Sequence, residues 1–141
     1  MTLTLERRLH ALGADRLQGM RRGVEKESLR VLRDAGLALA PHPLALGSAL
    51  THPHITTDYS ESQLELITGV HPSASACEQE LIELHQVVYR AIGDERLWVG
   101  SMPCGLPADE NIPIGSYGTS NVGRAKSIYR MGLGLRYGRR M

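Results

Sequence analysis

The chain has 141 residues, of which 42% are hydrophobic and 22% charged, and its net charge is +1. These values exclude a disordered segment and allow one folded domain or a part of one. The balance of 16 basic and 15 acidic residues argues against nucleic acid or an anionic membrane as the main partner. No apolar run is long enough to span a membrane. The two cysteines have no metal-site or disulfide spacing, which favours a reducing cytoplasm.

The first half of the chain is predicted to form one helix and two strands. Leucines recur mostly on one side of residues 3–18, which predicts a helix with a packing face that stops at Gly19. Strands are predicted at 23–31 and 55–68. The stretch between them is irregular and begins with a turn at 34–36.

The second half is predicted to contain two helices. A capping-box spacing that starts at Ser75 opens the clearest helix, and a short buried strand is predicted at 97–102. A loop over 103–118 leads to a final helix that begins at Ser120 or Asn121. Two glycines inside this helix weaken it by roughly 1 kcal/mol each relative to alanine. Because strands and helices do not alternate strictly, we expect an α+β fold with a mostly antiparallel sheet.

Acidic residues occur on both predicted strands. Successive side chains of a strand point to opposite faces, so Glu25 and Glu27 share one face. Gln63, Glu65 and Ile67 share a face of the second strand for the same reason. Acids that are brought together repel one another unless solvent, a cation or protonation relieves them, and several oxygen ligands in one cleft suit Mg²⁺. The pattern therefore indicates metal-assisted nucleotide chemistry.

The residues alone leave other interpretations open. The chain lacks the phosphate-binding loop GxxxxGK[ST], the dinucleotide motif GxGxxG and the zinc motif HExxH. An ATP site would therefore have to hold the phosphates through Mg²⁺ on carboxylates. A Glu-x-Glu pair on a strand is, however, more often a solvent-exposed face than a metal site. The six basic and no acidic residues of 122–141 fit either phosphate contacts or a solvated helix face.

Seven sequence blocks occur in an order that resembles the N-terminal part of bacterial glutamate-cysteine ligase, of the proteobacterial type. The resemblance runs from about residue 19 to residue 141 and is weak in the first helix and at 105–113. The blocks are RGVEKESLR at 22–30, LGSALTH at 46–52, ITTD at 55–58, LELIT at 64–68, GDER at 93–96, SMPC at 101–104 and YGTSN at 117–121.

The resemblance implies a fold and an activity. It implies an antiparallel sheet curved around the active site, with flanking helices, similar to the catalytic fold of glutamine synthetase and guanidino kinases. The implied reaction joins the γ-carboxylate of glutamate to cysteine, giving γ-glutamylcysteine for glutathione synthesis. In it, Mg-ATP, or Mn-ATP in its place, phosphorylates the γ-carboxylate, and the amine of cysteine attacks the resulting acyl phosphate. Catalysis of this kind depends on positioning and charge neutralisation.

The resemblance also implies roles for particular residues. The acids that would bind the metal and act in catalysis are Glu25, Glu27, Asp58 and Glu65. The residues that would bind substrate are Tyr59, Tyr129, Arg130 and Leu133. An arginine suits a substrate carboxylate. Without the resemblance, the tyrosine and leucine of the last helix would be interpreted as core packing.

Glutamate-cysteine ligases are several times longer than this chain. We therefore expect residues 1–141 to form the N-terminal portion of a single catalytic domain, truncated after its basic end and inactive without the rest of the ligase chain. Two alternatives remain at this stage. One is a non-catalytic domain that binds Mg-nucleotide or an amino acid, and the other is a different carboxylate-amine ligase on the same scaffold.

Overall fold

The computed structural model describes residues 4–140 and contains a four-stranded sheet with three helices. The strands are β1 (Glu25–Val31), β2 (Ile55–Thr56), β3 (Gln63–Ile67) and β4 (Arg96–Leu97). The helices are α1 (Leu5–His10), α2 (Ala74–Ala91) and α3 (Asn121–Tyr137). The strand order is β2-β3-β1-β4, and every neighbouring pair is antiparallel. This confirms the predicted α+β class and antiparallel sheet.

The main core lies between one face of the sheet and α2. Leu64 and Leu66 of β3 are fully buried and pack with Val88 of α2. Apolar residues that recur every three or four positions along α2 produce this contact. The helix begins two residues before the predicted capping box, because the side chain of Ser73 accepts a hydrogen bond from Ala76 N at 3.2 Å. None of the helices described between residues 4 and 140 has the length and apolar character to cross a membrane.

Two of the predicted strands differ from the structure. The predicted strand at 55–68 is a pair of strands, β2 and β3, which fold back on each other with Ile55 opposite Leu66. The connection turns because Gln63 N bonds to Ser60 O at 3.1 Å, which closes a tight turn inside an otherwise strand-like run. The predicted strand at 97–102 is limited to β4, which pairs with only two residues of β1.

The first predicted helix is also wrong in extent. The helical part ends at His10, and a separate 3-10 turn covers Ala14–Leu17 after Gly13. Leu5, Leu9 and Leu12 are exposed, and none of the residues of α1 is buried. The prediction for Leu3 and for the side chain of Leu17 lies outside the described residues.

Helix α3 begins where the sequence predicts. The side chain of Ser120 accepts a hydrogen bond from Gly123 N at 3.1 Å and caps the helix. A Cβ at Gly123 would lie 2.7 Å from the carbonyl oxygen of Gly118, so only glycine allows this close approach. The capped end fixes α3 beside the β2–β3 connection, where several of the predicted site residues lie.

Candidate active site

The acids of β1 and β3 lie on the face of the sheet opposite to the core. Glu27 is directly opposite Glu65, and Glu25 is opposite Ile67, in the antiparallel register of the two strands. Directly paired residues point to the same face. Gln63, on the same face, donates a hydrogen bond from Nε2 to Glu27 Oε2 at 2.7 Å. The structure thus brings three of the four predicted acids together on one surface.

Burial and the negative charge of this face both raise the pKa of Glu65. Burial is the first cause that raises the pKa of its carboxyl group, and the charges of Glu27, Glu25 and Asp58 raise it further. A hydrogen bond with Glu25 adds to the same effect. The fourth predicted acid, Asp58, therefore lies close enough to contribute to the electrostatics of the face.

The raised pKa of Glu65 predicts a pH-dependent stability. A carboxyl group with a higher pKa in the folded chain binds more protons when folded, so stability falls as the pH rises from its ordinary pKa through the raised value. Glu65→Gln is expected to stabilise the metal-free chain at neutral pH by up to about 1 kcal/mol, because the site is partly exposed. Urea unfolding of the parent and of Glu65→Gln measures the difference in unfolding free energy at neutral pH and at a pH below the ordinary pKa of a glutamate. The difference should vanish at the acidic pH.

The matched control is Glu83→Gln, which changes an exposed acid on α2 away from this face. It is expected to change stability by less than about 0.5 kcal/mol at either pH. Equal effects of the two substitutions would contradict the electrostatic account of Glu65.

Asp58 and Arg130 form an ion pair between the β2–β3 connection and α3. Arg130 donates from Nε to the Asp58 carbonyl oxygen at 2.5 Å and from Nη2 to Asp58 Oδ1 at 3.2 Å. The guanidinium lies 4.7 Å from the ring centre of Tyr117, and the Tyr117 hydroxyl donates to Thr57 O at 2.5 Å. Arg130 is predicted to bind substrate, but here it is buried and its partner is a predicted metal-binding acid.

Tyr59 lies in the wall of a cavity of about 360 Å³ next to the acids. Glu27, Gln63, Trp98 and Arg139 also line this cavity. The Tyr59 hydroxyl is buried and has no hydrogen-bond partner among residues 4–140. Burial is the main cause that raises the pKa of this phenol, and the nearby Asp109 adds to it while Arg139 opposes it. The phenol therefore keeps its proton at neutral pH.

The contact between Tyr59 and α3 depends on Gly134. A Cβ at this position would lie 2.6 Å from Tyr59 Oη, so Gly134→Ala is expected to displace the ring or the helix. The expected loss is about 1–3 kcal/mol of unfolding free energy, measured by urea denaturation. Gly132→Ala is the control, because a Cβ there has no neighbour within 4 Å. That change should stabilise α3 by roughly 0.5–1 kcal/mol, and equal gains at both glycines would refute the close contact.

The three predicted substrate residues of α3, Tyr129, Arg130 and Leu133, are not part of the cavity wall. Tyr129 is exposed on α3, and Leu133 is half-buried. Substrate binding by Tyr129 and Leu133 stays a prediction. The basic end of the chain is tied to the preceding loop, since Arg139 donates to the carbonyl oxygens of Glu110 and Ile112 at 2.8 and 3.1 Å.

Two residues that support the site were not singled out from the sequence. Tyr117 holds the Thr57–Asp58 backbone and stacks on Arg130. Buried Glu61 accepts hydrogen bonds from the backbone N–H groups of His42 and Ser116. The only feature of the sequence that could have pointed to Tyr117 is its place in one of the seven blocks of the resemblance. Glu61 carries no local signal, because its partners are distant in sequence.

The arrangement suits a hard cation but is not a complete metal site. Among residues 4–140, no group of three acidic, histidine or cysteine side chains converges in a metal-binding geometry. The acids nevertheless concentrate negative charge, as the raised pKa of Glu65 indicates. Carboxylate oxygens are the ligands that Mg²⁺ prefers, and a cation would relieve this repulsion. The donor set therefore fits Mg²⁺ if further ligands complete it.

These features define an α+β domain with an acidic sheet face beside a polar-lined cavity. A family model described as glutamate-cysteine ligase matches residues 7–141. The chain therefore belongs to the glutamate-cysteine ligase family.

Individual relatives agree with this assignment. The chain is 57% identical over 141 residues to a glutamate-cysteine ligase of Alcanivorax borkumensis, covering 97% of this chain and 27% of that protein. It is 52% identical to one of Pseudomonas putida strain W619, covering 100% of this chain and 27% of that protein. The chain thus spans about a quarter of the length of the curated relatives it matches.

A solved structure shares the fold. The crystal structure of glutamate-cysteine ligase from Francisella tularensis in complex with AMP matches with a TM-score of 0.81 and 42% identity. The match covers 84% of this chain and 24% of that one. A bifunctional glutathione synthetase from Pasteurella multocida matches with a TM-score of 0.63 and 43% identity, over 65% of this chain and 13% of that one.

Proposed function

We propose that this chain forms the N-terminal portion of the catalytic domain of an enzyme that ligates the γ-carboxylate of glutamate to cysteine, with ATP as the phosphoryl donor. The product is γ-glutamylcysteine, and the reaction proceeds through γ-glutamyl phosphate. The observation that carries the proposal is the acidic face of β1 and β3 in a chain of this family. The AMP in the structure of the Francisella relative supports a nucleotide as co-substrate.

In this proposal, Glu25, Glu27, Asp58 and Glu65 hold Mg²⁺. A bound Mg²⁺ neutralises phosphate charge during transfer of the phosphoryl group. Mn²⁺ fits the same oxygen ligands. Arg130 keeps Asp58 in place through two hydrogen bonds. Gln63 does the same for Glu27, so both carboxylates are positioned before any ligand binds.

The cavity beside the acids is proposed to receive the amino-acid substrates. Tyr59 lines this cavity. Tyr129, Arg130 and Leu133 lie on α3 outside the cavity wall and are proposed to bind substrate from that helix. We place the reaction in the cytoplasm, since both cysteines are free and buried and glutathione synthesis takes place among reduced thiols.

A chimeric protein tests the proposal. In this protein, which we call the grafted ligase, the chain replaces the matching quarter of the Alcanivorax borkumensis protein. The grafted ligase is expected to form γ-glutamylcysteine from glutamate, cysteine and Mg-ATP, whereas residues 1–141 alone are expected to form none. Mass spectrometry of the product and ADP release measure the reaction.

A second candidate function is that of a non-catalytic domain that binds Mg-nucleotide or an amino acid. The same experiment distinguishes it from ligation. An inactive grafted ligase, together with Mg-dependent binding of ATP or glutamate to the chain alone, would favour it. Product formed from another amine but not from cysteine would favour a different carboxylate-amine ligase.

A further inference from the structure

Of the four acids proposed to hold Mg²⁺, Asp58 lies outside the strands. Glu25 and Glu27 are on β1 and Glu65 is on β3, where strand pairing determines the direction of each side chain. Asp58 lies in the connection between β2 and β3, and its side chain is 50% exposed. Contacts from outside the sheet must therefore keep its carboxylate in one position.

The hydroxyl of Tyr117 holds the backbone of this connection. It donates to the carbonyl oxygens of Thr57 and Asp58 at 2.5 and 3.0 Å, and it accepts a hydrogen bond from Thr57 Oγ1 at 2.9 Å. Tyr117 and Thr57 are both buried, so water does not compete for these bonds. Removal of the phenol hydroxyl would leave the buried Thr57 hydroxyl without its acceptor.

The ring of Tyr117 acts on the same acid through α3. The Arg130 guanidinium and the Lys126 ammonium lie 4.7 and 4.6 Å from the ring centre. A cation over an aromatic ring is attracted by the negative face of the ring. Arg130 in turn donates to the Asp58 carbonyl oxygen and to Asp58 Oδ1. Tyr117 therefore contacts Asp58 through the backbone and, by way of Arg130, through the side chain.

Tyr117 is itself fixed by the two residues that precede it. Gly115 N donates to Tyr59 O at 2.9 Å, and Ser116 N donates to the carboxylate of buried Glu61. Both acceptors belong to the β2–β3 connection. The backbone next to Tyr117 is thus tied to the same segment that its hydroxyl holds, so the phenol has a defined position relative to Asp58.

We infer that Tyr117 is a positioning residue, which holds the Asp58 carboxylate where it can bind Mg²⁺. The inference rests on the proposed function, in which Asp58 is one of the Mg²⁺ ligands. Tyr117 acts through the Thr57–Asp58 backbone and through Arg130, and it does not touch the metal. Loss of a group that orients a metal ligand typically lowers metal affinity or activity by about 10- to 100-fold.

The substitution Tyr117→Phe tests the inference, because it removes the hydroxyl and keeps the ring beside Arg130. Mg²⁺ is titrated into the grafted ligase, and the signal of the Asp58 carboxyl carbon is followed by NMR. The dissociation constant for Mg²⁺ is expected to rise by about tenfold. A loss of stability alone would reduce the amount of folded protein and leave this dissociation constant unchanged.

Tyr89→Phe is the matched control, since it also removes a tyrosine hydroxyl that bonds to the backbone. The Tyr89 hydroxyl accepts a hydrogen bond from Leu97 N at 3.4 Å, between α2 and β4. This change should leave the dissociation constant within about twofold of the parent. A value for Tyr117→Phe that equals the parental value would overturn the inference, and so would an equal rise in both variants.

Failure of this inference and failure of the proposed function have different signatures in the parent grafted ligase. A parent that forms γ-glutamylcysteine while its Asp58 signal does not respond to Mg²⁺ overturns the inference and leaves the ligation intact. A parent that binds Mg²⁺ at Asp58 but forms no product counts against the function. The dissociation constants of the two variants then still decide whether Tyr117 positions Asp58.

Discussion

Glu65→Gln is expected to lower the rate of γ-glutamylcysteine formation by the grafted ligase by about 100-fold or more, since electrostatic stabilisation of the transferring phosphoryl group is a large part of catalysis. The substitution keeps the size of the side chain but removes a negative charge beside Glu27 and Glu25. Glu27→Gln is expected to act similarly, because the two residues are paired across β1 and β3. Steady-state assays over a range of Mg²⁺ concentrations measure the effect.

The control for this experiment is Glu83→Gln on α2, which should leave the rate within about twofold of the parent. Urea unfolding shows whether a lower rate comes from unfolding of the variant. Glu65→Gln is expected to stabilise the metal-free chain, so a lower rate in the folded variant is a loss of catalysis. A Glu65→Gln enzyme with the parental rate and the parental Mg²⁺ dependence would contradict the role of the acidic face.

Arg30→Ala is expected to destabilise the fold by about 3–5 kcal/mol, because it removes one partner of a buried ion pair. Arg30 is 1% exposed and donates from Nη1 to Glu95 Oε2 at 2.6 Å. Its other terminal nitrogen donates to the carbonyl oxygens of Ala40 and Glu61 at 2.5 and 2.9 Å. Alanine would leave a carboxylate and these carbonyls without their donor. Urea denaturation followed by circular dichroism measures the loss.

Arg33→Ala provides the matched control. Arg33 also forms an ion pair, with Asp94 at 2.5 Å, but both side chains are largely exposed. Its removal is expected to change stability by only about 0–1 kcal/mol, since water screens the pair. Similar losses for the two arginines would show that burial of Arg30 does not determine the stability of this region.

Short sequence patterns correctly predicted the helices and strands that are determined by residues close together in the chain. The capping-box spacing at Ser75 predicted α2 to within two residues of its start, and the start of α3 was predicted at Ser120 or Asn121. The alternation of Glu25 and Glu27 predicted their common face, which β1 confirms. In each case neighbouring side chains determine the structure, so the sequence alone is sufficient.

The features that the sequence did not predict depend on distant partners. The break between β2 and β3 follows from a turn at Ser60 inside a run of strand-forming residues. Arg30 occupies a core position of β1 because Glu95, 65 residues later, reaches it. The pairing of Asp58 with Arg130 joins residues 72 apart. Such contacts appear only when the chain is folded, and no local period encodes them.

Binding of Mg²⁺ by the four acids is measured by titrating Mg²⁺ into the grafted ligase and following the side-chain carboxyl carbons by NMR. The signals of Glu25, Glu27, Asp58 and Glu65 are expected to shift together and saturate, while that of Glu83 does not. Glu65→Gln should weaken the response of the other three. Signals from these acids that shift no more than the Glu83 signal would contradict Mg²⁺ binding by the acidic face.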